Sequence, residues 1–292
     1  MNDLGKDLRF AVRMLGKSPL VTAAAVLSLA IGIGANTAIF SLINAVLLRS
    51  LPVEDPASLV ALYTTDEVQR NGQFLPISRP NAEDLRDGTD AVFSQVATFS
   101  FGGVGLATAE GEPTPAGMQM VSSNYFETLG VEPVLGRFFT DQGRDDELGS
   151  EPYAVLSHRF FTERFGGDPA IIGGTVRLNR QSVDVIGVAP PGFNGTLVLG
   201  NTDLWVPVSM RSTLLTGFMA DVIDDRRALV SFAVARLWET ASLEQATAKL
   251  EGLGAGLREQ YPVDNKDRGF TALPISVAAV GPNQQAVFER MG

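Results

Sequence analysis

Few groups in this 292-residue sequence have the type and spacing that covalent or metal chemistry requires. His158 is the single histidine. A nucleophilic triad or a zinc site needs an imidazole with partners, and the chain has no G-x-S-x-G elbow and no H-E-x-x-H pair, so a structural or surface role is expected for it. Two carboxylate clusters stand out: Asp141, Asp145, Asp146, Glu147 and Glu151, then Asp221, Asp224 and Asp225. Calcium loops alternate oxygen ligands around a fixed glycine and close on a glutamate. Neither cluster has that spacing, and both read as solvated loops. The octapeptide AVRMLGKS, Ala11 to Ser18, matches a relaxed phosphate-binding loop with Ala in place of the first Gly. Such a loop needs a strand before it and a helix after it; here a charged amphipathic segment precedes it and Pro19 follows, so phosphate binding is not expected. Asn194, Gly195 and Thr196 form a glycosylation sequon inside GFNG, which reads as a turn. The absence of cysteine removes thiolate nucleophiles, disulfides and cysteine-held metals. No catalytic, cofactor or metal site is expected, and the chain does not read as an enzyme.

The elements that would position any site begin with an uncharged run from Ser18 to Leu48, bounded by Lys17 and Arg49. About 20 helical residues already cross a hydrocarbon core of about 30 Å, so this run predicts one transmembrane helix over 18–48. A cleaved signal peptide would have an apolar core of only about 7 to 15 residues and a small-residue cleavage site, whereas this run ends in LLRSLP. Residues 1–17 read as an amphipathic juxtamembrane helix, with Leu4, Leu8, Ala11 and Leu15 on one side and Lys6, Arg9, Arg13 and Lys17 on another. Those basic residues beside the span predict a cytoplasmic N-terminus, and the rest of the chain then lies outside. Residues 1–48 carry a net charge of +2, leaving 19 basic and 31 acidic residues, a net of −12, for the remainder. Nucleic acid is a poor partner for that remainder, because phosphate binding depends on clustered Lys and Arg.

The middle of the span, GIGANTAIFS, carries small and polar residues where lipid favours leucine. Ala24, Ser28, Gly32 and Asn36 recur every fourth residue, with Ala30, Gly34 and Ala38 in an adjacent row. Helices in lipid associate through close packing of small residues and through interhelical hydrogen bonds. Asn36, Thr37, Ser41 and Asn44 supply polar groups that lipid cannot satisfy. Ala24, Ser28, Gly32, Gly34, Asn36, Thr37, Ser41 and Asn44 are therefore the candidate helix-packing residues. No other window approaches 18 apolar residues, so the partners are expected in other polypeptides or in a continuation of this one.

Residues 49–280 read as an α+β domain of short helices alternating with strands and mixed sheets. Strands are predicted over 60–64, 96–101, 153–156, 203–210, 228–238 and 270–275, with Pro207 demoting its strand to an edge or an end. Residues 175–189 alternate as a hairpin turning at Asn179 and Arg180. Helices are predicted over 78–87, over 122–130 with Ser123 or Asn124 as cap and Gly130 as stop, and over 157–167 closed by paired glycines. The clearest helix starts at Ser242 and runs to about Tyr261, burying Leu243, Ala246, Leu250, Leu253 and Leu257 between two strands. The aromatic set Tyr125, Phe126, Phe138, Phe139, Phe160, Phe161 and Phe165 reads as core.

GIGANTAIFSLINAVLLRSLP, GVEPVLGRFF, VLSHRFFTERFGGDPAIIGGTVRLN, VDVIGVAPPGF and FAVARLWETASLEQATAKLEGL, in this order and spacing, resemble the MacB-type (FtsX-like) ABC transporter permeases with their periplasmic core domain. The resemblance covers almost the whole chain and is nearest to the duplicated permeases that lack a fused ATPase. It implies four spans in a bacterial inner membrane, with a large external domain between the first and second. It also implies a separate ABC ATPase subunit, and a second permease copy or repeat, as partners. Residues 281–292, GPNQQAVFERMG, would lead into a second span, so a fragment or shortened gene is expected. On this reading the chain is the non-catalytic N-terminal part of an exporter permease. A single-pass anchored binding or scaffold protein is the other reading that the residues allow.

Overall fold

The computed structural model describes residues 17, 19–20, 22–24, 26–30, 32–34, 52–66, 68, 73–108, 112–140, 152–196 and 202–278. They divide into two compact units, Met1–Arg49 and Ser50–Gly292. In the first unit every described residue between 17 and 34 is helical. The span predicted over 18–48 reaches beyond these residues, and among the described residues no helix is long and apolar enough to cross a membrane.

The second unit is a mixed α+β domain on one sheet, as its alternating short elements predict. β1 (Leu59–Asp66) lies between β10 (Phe232–Leu237) and β11 (Arg268–Pro274), antiparallel to both. Its run LVALYTTD is apolar at successive rather than alternate positions because both faces of the strand are covered. Leu59, Ala61 and Tyr63 join one apolar cluster, whereas Val60 and Leu62 join another. The sheet continues from β10 through β3 (Phe93–Ala107), β4 (Thr114–Val121), β9 (Leu204–Pro207), β6 (Tyr153–Leu156) and β8 (Gln181–Val188) to β5 (Leu135–Gly136). β2 (Phe74–Leu75) adds to β1, and β7 (Thr175–Leu178) to β3 and β8.

The helix predicted from Ser242 is α6 (Leu243–Gln260). A capping box starts it: Gln245 N donates to Ser242 Oγ at 3.2 Å, and Ser242 N donates to Gln245 Oε1 at 2.8 Å. Its buried face is Ala246, Leu250, Gly254 and Leu257. Gly254 takes the central place expected for Leu253, since a β-carbon there would come within 3.2 Å of the Phe270 ring on β11. Leu253 turns instead toward α1 (Arg79–Gly88), where Gly88 leaves it room. The unit β10–α6–β11 thus returns the chain parallel to itself with β1 inserted between the two strands.

Three strand boundaries differ from expectation. β3 runs 15 residues rather than six, because residues 93–99 pair with β10 and residues 99–106 pair with β4. The glycines of FGGVG resemble a terminator, yet at Gly102 the missing β-carbon makes room for the Met118 methyl, 3.2 Å from where it would sit. β10 begins at Phe232 rather than Ala228, since the carbonyls of Arg226 and Arg227 are taken by the Arg268 guanidinium. β9 stops at Pro207 rather than residue 210, so Pro207 marks an end and not an edge: the strand is interior, between β4 and β6.

Asp224 also departs from the solvated loop expected of it. Arg79 Nε donates to its Oδ1 at 2.7 Å and Arg211 Nε at 3.2 Å. Those guanidinium side chains are only 11% and 8% exposed, while the carboxylate is 58% exposed. Arg79 is also paired with Glu83 one turn along α1, and Asp224 adds the link that ties the start of α1 to α4 (Arg211–Leu214). Asp225 accepts from the Arg227 amide at 2.8 Å.

Replacing Asp224 with Ala is expected to cost about 1–3 kcal/mol, below the cost of breaking a fully buried pair because water screens the exposed carboxylate. A thermal melt should show a drop of several degrees, and Asp224→Asn a smaller one.

Candidate functional site: the paired chain ends

The seven register pairs of β1 and β11 run from Val60 opposite Pro274 to Asp66 opposite Arg268. The strand that opens the domain therefore begins where the strand that closes it ends, about 4.8 Å away across the ladder. After Pro274 the chain enters a short helix, α7 (Ile275–Ala278), whose Ile275 and Ala278 are buried in the same cluster as Leu59 and Ala61. Incoming and outgoing segments leave the sheet together.

The incoming segment is held chiefly by one side chain. From β10, Arg236 donates from Nε to Thr128 O at 3.0 Å, from one terminal nitrogen to Ser58 Oγ at 2.7 Å, and from the other to Glu54 O at 2.9 Å. The rigid fork of donors lets a single guanidinium bridge three backbone stretches. Glu54 N adds a bond to Leu129 O at 3.1 Å. Residues Pro56–Ser58 form a 3-10 turn that delivers the chain to β1. Arg236 thereby fastens the residues before β1 to α2 (Tyr125–Leu129).

Gly130 makes that approach possible. It ends α2 in the left-handed region at φ 62°, as the sequence predicts, and a β-carbon on it would overlap the Glu54 side chain. Underneath lie aromatic contacts: Phe99 stacks on Phe232 at 5.3 Å and meets Tyr125 at 5.7 Å, and Tyr63 meets Phe74 at 5.8 Å. Burial pushes the Tyr63 phenol up to about 12 and raises that of Tyr125 as well. Both stay neutral and serve as packing.

A buried amide fixes the neighbouring turn. Gln119 Nε2 donates to Thr202 Oγ1 at 2.6 Å and to Asn194 O at 3.4 Å, while its Oε1 accepts from the Trp205 indole at 3.1 Å. Gly195, at φ 94°, lets the GFNG turn close over that amide. The sequon residue Thr196 is buried.

Among the described residues the other chemistry-bearing side chains do not assemble. His158 opens α3 (His158–Phe165) against the Phe161 ring, 6.3 Å between centroids, with no side-chain hydrogen bond to an acid or base among the described residues. Among the described residues no group of three His, Asp or Glu side chains is placed to hold a metal ion. Six of the seven aromatic residues expected in the core are buried, and Phe165 packs against it from the edge. Ala24, Ser28, Gly32 and Gly34 lie on the helical residues of the first unit and are exposed. A β-carbon at Gly32 or Gly34 would meet no described atom within 4 Å. Asn36, Thr37, Ser41 and Asn44 lie outside the described residues, as do Asp141, Asp145, Asp146, Glu147 and Glu151, residues 1–16 and residues 281–292. Arg236 and Glu54 escaped the sequence reading. The one signal was a charged residue inside the apolar run FAVARLW.

The family model described as the MacB-like periplasmic core domain matches residues 22–253. Among solved structures, the periplasmic region of MacB from Actinobacillus actinomycetemcomitans aligns with a TM-score of 0.55 at 15% identity, over 83% of this chain and 97% of that one. A domain of a permease protein from Porphyromonas gingivalis aligns with a TM-score of 0.53 at 16% identity, over 77% and 92%. At such identities the likeness concerns the fold alone. No curated protein matches the chain.

Two glycines with the same conformation separate backbone strain from the contact at the paired ends. Gly166→Ala, at φ 65° with open space around it, should cost about 1 kcal/mol. Gly130→Ala should cost about 2 kcal/mol or more, because Glu54 must also move. Limited proteolysis should then cut residues 52–58 in the Gly130 variant and spare them in the Gly166 variant.

Proposed function

The chain belongs to the MacB-like periplasmic core domain family, and from that premise we propose that it is the N-terminal part of a non-catalytic permease subunit of an ABC-type exporter. A separate ATPase subunit supplies the energy. The helix over 18–48 packs against further spans or a second permease copy, and its motion passes into an extracytoplasmic domain that handles cargo or a partner.

The observation that carries this reading is the antiparallel pairing of β1 with β11. A domain inserted between two membrane helices must send its incoming and outgoing strands back to one place, and Val60 beside Pro274 meets that requirement. Arg236 and Gly130 make the junction stiff, so a displacement of the helix ends would move the sheet rather than unravel its first strand. In the first unit, Leu20, Val26, Leu27, Leu29 and Ile33 are each at least 60% exposed. Apolar surface of that kind suits lipid and neighbouring helices, with Ser28, Gly32 and Gly34 as the approach points.

The cysteine-free sequence makes topology directly measurable. A membrane-impermeant maleimide should label Lys249→Cys in intact cells and Lys6→Cys only after permeabilisation. Purified from native membranes, the full chain should bring an ABC ATPase with it, and Gly32→Leu should reduce that recovery about tenfold, the effect of losing about 1.4 kcal/mol of helix packing. Labelling of Lys249→Cys only after permeabilisation would exclude the reading. Recovery without any ATPase would leave an anchored scaffold instead.

A further inference from the structure

The β7–β8 hairpin carries a feature that the transporter reading does not use. Its two-residue turn has Asn179 at φ 47° and Arg180 at φ 74°. Left-handed turns of this kind favour Asn followed by Gly, and a β-branchless glycine is the ordinary second residue. Here an arginine holds that place in a conformation that disfavours any β-carbon. The turn is also unusually fixed. Asn179 N donates to Gly105 O and Asn179 Oδ1 accepts from Gly105 N, each at 2.9 Å, while Asn179 Nδ2 donates to Leu214 O at 2.9 Å. The hairpin tip is thereby bolted to β3 and to the end of α4.

Beside this turn is an open cavity of about 450 Å³ lined by Gly105, Pro113, Arg177, Asn179, Arg180 and Thr216, among others. Arg177 and Arg180 both line it, and both residues are exposed. Among the described residues no carboxylate pairs with Arg177 or Arg180, although the described salt bridges engage Arg79, Arg86, Arg159, Arg211 and Arg226. Two cations unpaired among the described residues are conspicuous on one wall in a chain of net charge −10. Gly105 contributes bare backbone, Pro113 an apolar surface and Thr216 a hydroxyl.

We propose that this cavity binds a phosphate-bearing ligand, its phosphoryl oxygens held by Arg177 and Arg180 with the Thr216 hydroxyl beside them. Two separate forks of donors and a hydroxyl suit a group with several oxygens in tetrahedral array better than a single planar carboxylate. The volume suits a ligand the size of a sugar phosphate or a phospholipid headgroup, and either would present the same chemistry. The site is read from the domain alone and stands apart from the exporter assignment.

The decisive variant is Arg180→Gly. Glycine fits the turn better than arginine, so the variant should fold and melt about 2–4 °C higher, yet lose the ligand. The full chain, purified in a maltoside detergent that carries no phosphate, is titrated calorimetrically with glycerol 3-phosphate and, separately, with short-chain phosphatidylglycerol. One-to-one saturable binding of either probe is expected, weakened at least tenfold by Arg180→Gly and by Arg177→Ala and weakened by added salt. Binding of glycerol 3-phosphate alone assigns the site to a soluble ester, and binding of the lipid alone assigns it to a headgroup. The proposal is overturned if neither probe saturates the unaltered chain, or if Arg180→Gly binds as tightly as the parent.

Discussion

The antiparallel seam between β1 and β11 is the constraint on which the rest of the domain depends. Because β1 is covered on both faces and flanked on both edges, it cannot form until residues from the far end of the chain arrive. α6 brings them: its capping box starts it, its apolar face seats on β11, and its length returns the chain alongside β1. The aromatic packing beneath the seam and the Arg236 bonds above it then secure the first residues of the domain to α2. Closing so long a loop is entropically costly, and the cost grows only slowly with length, so a well-buried seam can offset it. Long-range pairing of this kind implies slow folding and a cooperative product.

How much of this could be read in the chain depends on how local each determinant is. The bounds of α6 with its Ser242 cap, the Gly130 stop and the turn at Asn179 and Arg180 follow from neighbours within four residues, and the sequence pattern places them correctly. β3 could not be read at its full length, since its glycines look like a break until Met118 and a second partner strand are known. Asp224 looks like a member of an acidic loop, because Arg79 lies 145 residues before it. Arg236 is the extreme case: its partners Thr128 and Glu54 are 108 and 182 residues away, and nothing in the local pattern names them. The mixed α+β class was legible throughout, and the domain's family could be recognised from motif order.

The proposed function asks for geometry rather than for reactive groups. Adjacent chain ends, a stiff junction and a continuous sheet are features that can carry displacement. The second special place, the turn at Arg180, departs from local preference in the other direction. An arginine stands where glycine would fit the backbone better, beside a cavity that it helps to line. Both places are found by asking where a side chain or a missing side chain resists the simplest local rule.

Native-state hydrogen exchange on the full chain tests the central claim, that the two ends of the domain behave as one body. The account predicts that amides of residues 60–66 and 268–273 exchange only through global unfolding, as slowly as those of Met120 and Val206 in the interior of the sheet. Exchange of the β1 and β11 amides orders of magnitude faster than that interior, through opening of the seam alone, would contradict it.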